Sequence, residues 1–330
     1  MEEKIINLSN GEEIFYLESG KEGGQAVLFI HGNMSSSTHM IPLMEAVEDQ
    51  YKLYALDMPG FGQSSYNTVR RDILSYAQCI QDWIIEMNLK ELRVIAWSLG
   101  GAVALELAAI SSLEQVKDLF LIAPIGIHSF RFEPISNMVD SIEKDDILDF
   151  DFSFEKVKEI FSPMKEKLEN KEEKQDLKTE VLCNYYMFKK KKPEIFTYDK
   201  YIKASLQQKN HGDIIHSIYN FNMTPEKFED QMGSGRIEEI KQKVVIVHGS
   251  DDLVVSCECA YDTVGYLGDK ASLVEVEDGG HFLFFEEYDQ VVGLLKGFLE
   301  GKEDFFPRNE IYCKDKEHKN KKLPLRENWV

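Results

Sequence analysis

Cysteine is sparse: five residues in 330, Cys79, Cys183, Cys257, Cys259 and Cys313. So odd and scattered a set argues against a secreted disulfide framework and leaves reduced thiols as the default. Cys257-Glu258-Cys259 looks like half of a zinc site, but no second cysteine pair and no histidine pair at finger spacing completes it, so a zinc reading is set aside. Long apolar runs are missing too. None approaches the ~20 residues that span a bilayer, and the opening Met1-Glu2-Glu3-Lys4 has neither the basic nor the apolar region of a signal peptide. The expectation is a cytoplasmic protein with no membrane span. Basic residues are outnumbered, 38 Lys+Arg against 58 Asp+Glu for a net charge of −20, which is the wrong sign for a nucleic-acid binder. No internal repeat is visible.

What is present is an ordinary globular composition, 43% hydrophobic and 29% charged, in a chain long enough for a large core. Short apolar runs at 13–17, 26–30, 52–56, 92–96, 117–123, 244–247 and 272–276 read as strands bounded by glycine and proline turns. Between them, 73–87 carries Ile73, Ala77, Ile80, Ile84 and Met87 at helical spacing. The segment 99–110 is apolar all round except for Glu106, as in a buried helix, and 289–299 closes the regular part as another helix. Strands alternating with helices predict an α/β fold, a mostly parallel sheet with helices on both faces.

Between 127 and 236 the strand signals vanish, and Lys/Glu-rich stretches alternate with aromatic clusters, which reads as a helical insertion. The expected organisation is a core of 1–126 and 237–301, a helical cap over 127–236 and an extended tail over 302–330. Charge divides unevenly among them: −19 in the core, −3 in the insertion and +2 in the tail. The acidity thus leaves an anionic small molecule free to approach from the insertion side.

The chemistry concentrates at Val94-Ile95-Ala96-Trp97-Ser98-Leu99-Gly100-Gly101. A serine on a sharp strand-to-helix turn holds its hydroxyl above the sheet, and small residues two before and two after relieve the crowding. Ala96 stands where that motif has glycine, and its single methyl is tolerable. Ser98 is therefore the candidate nucleophile rather than a helix-capping serine. A serine hydroxyl needs a base that titrates near neutrality, and His281, after Gly279-Gly280 and the last strand, supplies it. The base needs a carboxylate; behind 244–247 stand both Asp251 and Asp252, of which Asp252 is favoured. An oxyanion needs donors. Leu99 N–H offers one, and Asn33 N–H, in Phe29-Ile30-His31-Gly32-Asn33-Met34-Ser35, the other, with Met34 as the alternative. His31 reads as a structural hydrogen-bonder of that loop and Asp57, in Asp57-Met58-Pro59-Gly60, as a turn-fixing residue. Trp97 and Met34 adjoin these atoms and are the candidate substrate-binding residues. The cap aromatics Tyr185, Tyr186, Phe188, Phe196, Tyr198, Tyr201, Tyr219 and Phe221 either line an acyl pocket or pack the cap itself.

In combination, His31-Gly32-Asn33, Asp57-Met58-Pro59-Gly60-Phe61-Gly62-Gln63-Ser64, Trp97-Ser98-Leu99-Gly100-Gly101, Asp252 and Gly280-His281 resemble the α/β-hydrolase superfamily over about 12–126 and 237–301. The resemblance implies an eight-stranded, mostly parallel sheet, a helical cap after the sixth strand, catalysis without a cofactor or metal, and Ser98, Asp252 and His281 as nucleophile, acid and base. Within the superfamily the elbow is similar to those of small carboxylesterases of the pimeloyl-carrier-protein methyl esterase type and of carbon–carbon bond hydrolases. A serine at 98 disfavours dehalogenase and epoxide hydrolase chemistry, whose nucleophile there is a carboxylate. The expected function is a serine hydrolase acting on a small ester-type acyl substrate. The alternatives are a carbon–carbon hydrolase, weakened by the scarcity of arginine in the cap beyond Arg131 and Arg236, and a binding protein that kept only the frame. Substrate identity and oligomeric state are not legible.

Overall fold

A computed structural model describes residues 1–129, 200–201, 203–204, 207–228 and 231–302, with the backbone of 312–315 and 318–322. The elements in chain order are β1 (Glu2–Asn7), β2 (Glu13–Gly20), β3 (Ala26–Ile30), α1 (Ile41–Glu45), β4 (Lys52–Leu56), α2 (Ile73–Glu86), β5 (Leu92–Trp97), α3 (Leu99–Ile110), β6 (Val116–Ile122), α4 (His211–Tyr219), β7 (Lys243–Gly249), α5 (Glu258–Leu267), β8 (Ala271–Val276), α6 (Leu283–Glu286) and α7 (Tyr288–Leu299). A two-stranded antiparallel ribbon, β9 (Tyr312–Asp315) and β10 (His318–Lys322), follows.

Eight strands form one sheet in the order β1-β2-β4-β3-β5-β6-β7-β8. β1 and β2 enter antiparallel, and from β4 onward every pairing is parallel. Every residue of β5, Leu92 to Trp97, is buried, as a central parallel strand covered on both faces requires. The two faces carry separate cores. On one, Ile80 and Trp83 of α2, Leu105 of α3 and Val264 of α5 pack together. On the other, Leu43 of α1 and Leu295 of α7 pack with Phe29 and Phe120 of the sheet.

β1 was not among the expected strands, which begin at residue 13. Its sequence, Glu-Glu-Lys-Ile-Ile-Asn, is half charged and largely exposed, and an edge strand with water on one side lacks the apolar run that marks a buried one. α5 also escaped the reading: its buried stripe, Cys259, Ala260, Thr263, Val264 and Leu267, is short and includes a polar threonine. In α2, by contrast, the expected stripe is the buried one, and the Asp72 side chain caps the helix by accepting from Ser75 N–H at 2.8 Å.

Most of the expected cap lies outside the described residues, including Tyr185, Tyr186, Phe188, Phe196 and Tyr198. Its two stems are described. Ser129 N–H donates to Phe221 O at 2.6 Å and Met223 N–H to Ile127 O at 2.7 Å, so the outgoing and returning chains pair side by side. Ile214 and Ile218 of α4, with Tyr219, Phe221 and Met223, join the same core as α2 and α3, while Tyr201 packs in the opposite core. These three aromatics bury against the sheet-bearing body.

Candidate active site

The parallel strands end together, and β3, β5, β7 and β8 each deliver one loop to the same edge of the sheet, where the strand order reverses and α/β folds place their sites. Ser98 follows β5 at φ 55, ψ −121, a left-handed conformation rare for a residue with a side chain. Its backbone is held from three sides: its N–H donates to Ile122 O at 3.0 Å, and its carbonyl accepts from Gly101 N–H at 2.9 Å and Ile125 N–H at 3.0 Å. That frame sustains the strained turn and lifts Oγ over the strand ends.

His281 Nε2 lies 2.9 Å from Ser98 Oγ, and its Nδ1 lies 2.8 Å from Asp252 Oδ2. A carboxylate beside Nδ1 holds the proton there, which leaves Nε2 as the acceptor for the serine hydroxyl. The side chain of Asp252 is wholly buried. Its Oδ1 accepts the N–H groups of Val254 and Val255 at 2.8 and 2.9 Å, and its Oδ2 also meets His248 Nε2 at 3.3 Å. Burial by itself raises the pKa of this carboxyl, but His281 and His248 together outweigh it and hold the group well below the ordinary carboxylate range. Asp251 instead sends its backbone N–H to Gly279 O at 3.0 Å, so of the two adjacent aspartates it is Asp252 whose carboxylate meets the imidazole. The two loops abut at Gly249, where a Cβ would come within 2.2 Å of Gly279 O.

The β3 loop closes over the serine from the other side. A Cβ on Gly32 would stand 3.0 Å from Ser98 Cβ, tighter than ordinary packing, so glycine lets the loop come this close without displacing the serine. His31 is fully buried, its Nδ1–H donating to Gly32 O at 2.8 Å and its Nε2 accepting Met58 N–H at 3.0 Å. Burial lowers its pKa to about 4, so it stays neutral and serves the loop as expected. Asp57 accepts Ser37 N–H at 2.7 Å and Gln63 N–H at 2.8 Å; it joins two turns and lies on none of the Ser98 contacts.

The N–H groups of Asn33 and Leu99 meet no acceptor among the described residues. Leu99 opens α3, where intrahelical partners do not exist. Met34 N–H is occupied by Gln208 Oε1 at 2.9 Å, which separates it from Asn33 as a donor. Trp97 is 1% exposed: its indole N–H donates to His281 O at 3.1 Å, and its ring packs on Phe282 and Phe284. It supports the histidine loop, whereas Met34 is partly exposed. Arg236, which the sequence left open as a substrate anchor, is engaged by both oxygens of buried Glu106 at 2.6 Å each. Among the described residues no group of His, Cys, Asp and Glu is arranged to hold a metal ion.

Two residues at this site were not singled out from the sequence. His248 had a signal, since it lies near the end of β7, four residues before Asp252. Gln208, in Gln207-Gln208-Lys209-Asn210, had none.

Comparison with known proteins bears on the fold and the family. Over 117 residues the chain is 30% identical to the dihydrolipoyllysine-residue acetyltransferase component of the acetoin cleaving system of Cupriavidus necator, a match that spans 36% of this chain and only 31% of that protein. It is 24% identical over 311 residues, 92% of each chain, to the 2-hydroxy-6-oxo-6-(2'-aminophenyl)hexa-2,4-dienoic acid hydrolase of Metapseudomonas resinovorans. Among solved structures, the esterase from Exiguobacterium antarcticum superposes with a TM-score of 0.65 at 18% identity, covering 90% of this chain and 99% of that one, a likeness of fold. The model of the alpha/beta hydrolase fold family matches residues 25–288. That span takes in the sheet from β3 to β8 and every side chain around Ser98, and on it the chain belongs to the alpha/beta hydrolase fold family.

Proposed function

We propose that the protein is a serine hydrolase that cleaves a small ester-type acyl substrate through an acyl-enzyme. The observation that carries the reading is the continuous hydrogen-bonded chain from Ser98 Oγ through His281 to Asp252, on a serine held in a left-handed turn. In this scheme Ser98 Oγ attacks the carbonyl carbon while His281 Nε2 takes its proton, and Asp252 stabilises the imidazolium. The oxyanion accepts from Asn33 and Leu99 N–H. His281 then protonates the leaving alkoxide, the alcohol departs, and a water deprotonated by His281 attacks the ester to release the acid and Ser98. Each step uses water, side chains and backbone N–H groups of this chain, and the scheme calls on no cofactor. Ser98→Ala is expected to lower turnover of a short-chain nitrophenyl ester to the uncatalysed level, and wild-type-like turnover in that variant would overturn the assignment.

A carbon–carbon hydrolase is the second reading, favoured by the full-length similarity to the dienoic acid hydrolase. Such a substrate carries a carboxylate that needs a cationic anchor. The engagement of Arg236 by Glu106 weighs against that residue in the role, and Arg131 lies outside the described residues. Loss of the visible absorbance of a ring-fission dienoate on mixing with the protein, abolished in Ser98→Ala, would establish this reading over the first. No described helix is long and apolar enough to cross a membrane.

A further inference from the structure

The chain returning from the insertion passes the site at Gln208-Lys209-Asn210, and all three side chains reach loops of the core. Gln208 is 1% exposed and spends both ends of its amide on consecutive residues: Oε1 accepts Met34 N–H at 2.9 Å, and Nε2 donates to Asn33 Oδ1 at 3.0 Å. Lys209 sends its backbone N–H to Gly60 O at 2.7 Å and its ammonium to Ser64 O at 2.6 Å. Asn210 Nδ2 donates to Pro59 O at 3.1 Å and to the Tyr76 hydroxyl at 2.9 Å.

Met34 lies at φ 50, a left-handed conformation that costs a residue with a side chain on the order of 1 kcal/mol or more. Gln208 provides the acceptor that its N–H meets in that conformation. The peptide group carrying Asn33 N–H is held at its other end, where Gly32 O accepts from His31 Nδ1–H and from Ser35 Oγ, each at 2.8 Å. Asn33 is therefore fixed on one side by the core loop itself and on the other by a side chain arriving 175 residues later in sequence.

We propose that Gln208 is a positioning residue for the oxyanion donor: it sets Asn33-Met34 so that Asn33 N–H meets the developing charge, and it makes that donor depend on the returning insertion chain. The inference rests on the acyl-transfer reading above. A purely structural tie would lower the fraction of folded enzyme, whereas a positioning role alters the chemistry of each intact site. A displaced donor weakens transition-state binding and leaves ground-state binding largely alone.

The test measures nitrophenyl ester kinetics per active site, with sites counted by complete titration of Ser98 with a fluorophosphonate. It adds inhibition by an acyl trifluoromethyl ketone, which Ser98 converts to a tetrahedral oxyanion. Gln208→Leu is expected to lower kcat about 10- to 100-fold with KM within about threefold, and to weaken the ketone by a similar factor. Gln208→Glu retains the acceptor for Met34 N–H and can accept from Asn33 once that amide turns over, so kcat should recover to within about threefold of wild type. If Gln208→Leu does not fold, Gln208→Met, of similar length and lacking both bonds, makes the same comparison. An active wild type with unchanged kcat and ketone inhibition in the leucine or methionine variant overturns the positioning role alone. A wild type that neither hydrolyses any ester nor labels at Ser98 overturns the hydrolase reading, and this inference with it.

Discussion

At the scale of single residues the most telling arrangement is the one around Asp252. One carboxylate, its side chain buried, gathers His281, His248 and two backbone N–H groups, and an anion so surrounded persists where an isolated one would take a proton. Asparagine at 252 would still fit, but its amide cannot both hold the Nδ1 proton and balance the imidazolium. Asp252→Asn is expected to lower kcat roughly 10³- to 10⁴-fold, while Asp251→Asn stays within about threefold; equal losses in ester assays of the two variants would reject the distinction. The sequence presents the two aspartates side by side in a loop and favours Asp252, but it does not show which carboxylate reaches the imidazole. Their difference lies in the turn after β7, which aims one side chain at the imidazole and spends the other residue's N–H on Gly279.

At the scale of elements, legibility followed burial. β3, β5, β6 and β7 each hold an apolar run of four or more residues, as strands covered on both faces do, and each stands where the sequence put it. β1 went unread because its edge position asks for nothing apolar. α3 was expected to be buried on most of its surface, and it is, but the lone charge in it had no visible partner in sequence. The structure supplies one from the returning stem of the insertion, where Arg236 closes a two-pronged pair on Glu106. Removing one member of such a pair strands the other in the core. Arg236→Met is expected to destabilise the protein by about 3 kcal/mol in urea unfolding; a change below about 0.5 kcal/mol would mean that the buried carboxylate does not depend on this partner.

At the scale of the whole molecule, two buried imidazoles tie stability to pH. Burial lowers the pKa of His31 to about 4 and that of His39, stacked on Tyr201 at 4.7 Å, to about 3. In the unfolded chain both titrate near 6.5. Between that value and the folded ones, the unfolded state binds protons that the folded state refuses, so stability is complete above about pH 6.5 and declines as pH falls toward 4. Each imidazole contributes up to about 1.4 kcal/mol per pH unit in that window. Urea midpoints should therefore drop from pH 7 to pH 5, and His31→Gln, which removes one of the two titrations, should flatten the fall; equal midpoints at both pH values would show that these rings are not neutral in the fold. The net charge of −20 belongs almost wholly to the core, 1–126 with 237–301, which alone carries −19.

The sequence by itself determined the layered α/β frame and the order of serine, aspartate and histidine along it. Both are written in short-range terms: apolar runs between glycine turns, and small residues around a serine where a strand becomes a helix. The tertiary structure alone decided where Arg236 spends its charge, that Trp97 supports the histidine loop, and that Gln208 holds the Asn33 loop. These contacts join residues more than a hundred positions apart, as with Gln208 and Met34 at a separation of 174 and Arg236 and Glu106 at 130. No local propensity encodes such a pair. It exists only once the sheet has brought its loops to one edge and the chain has returned across them.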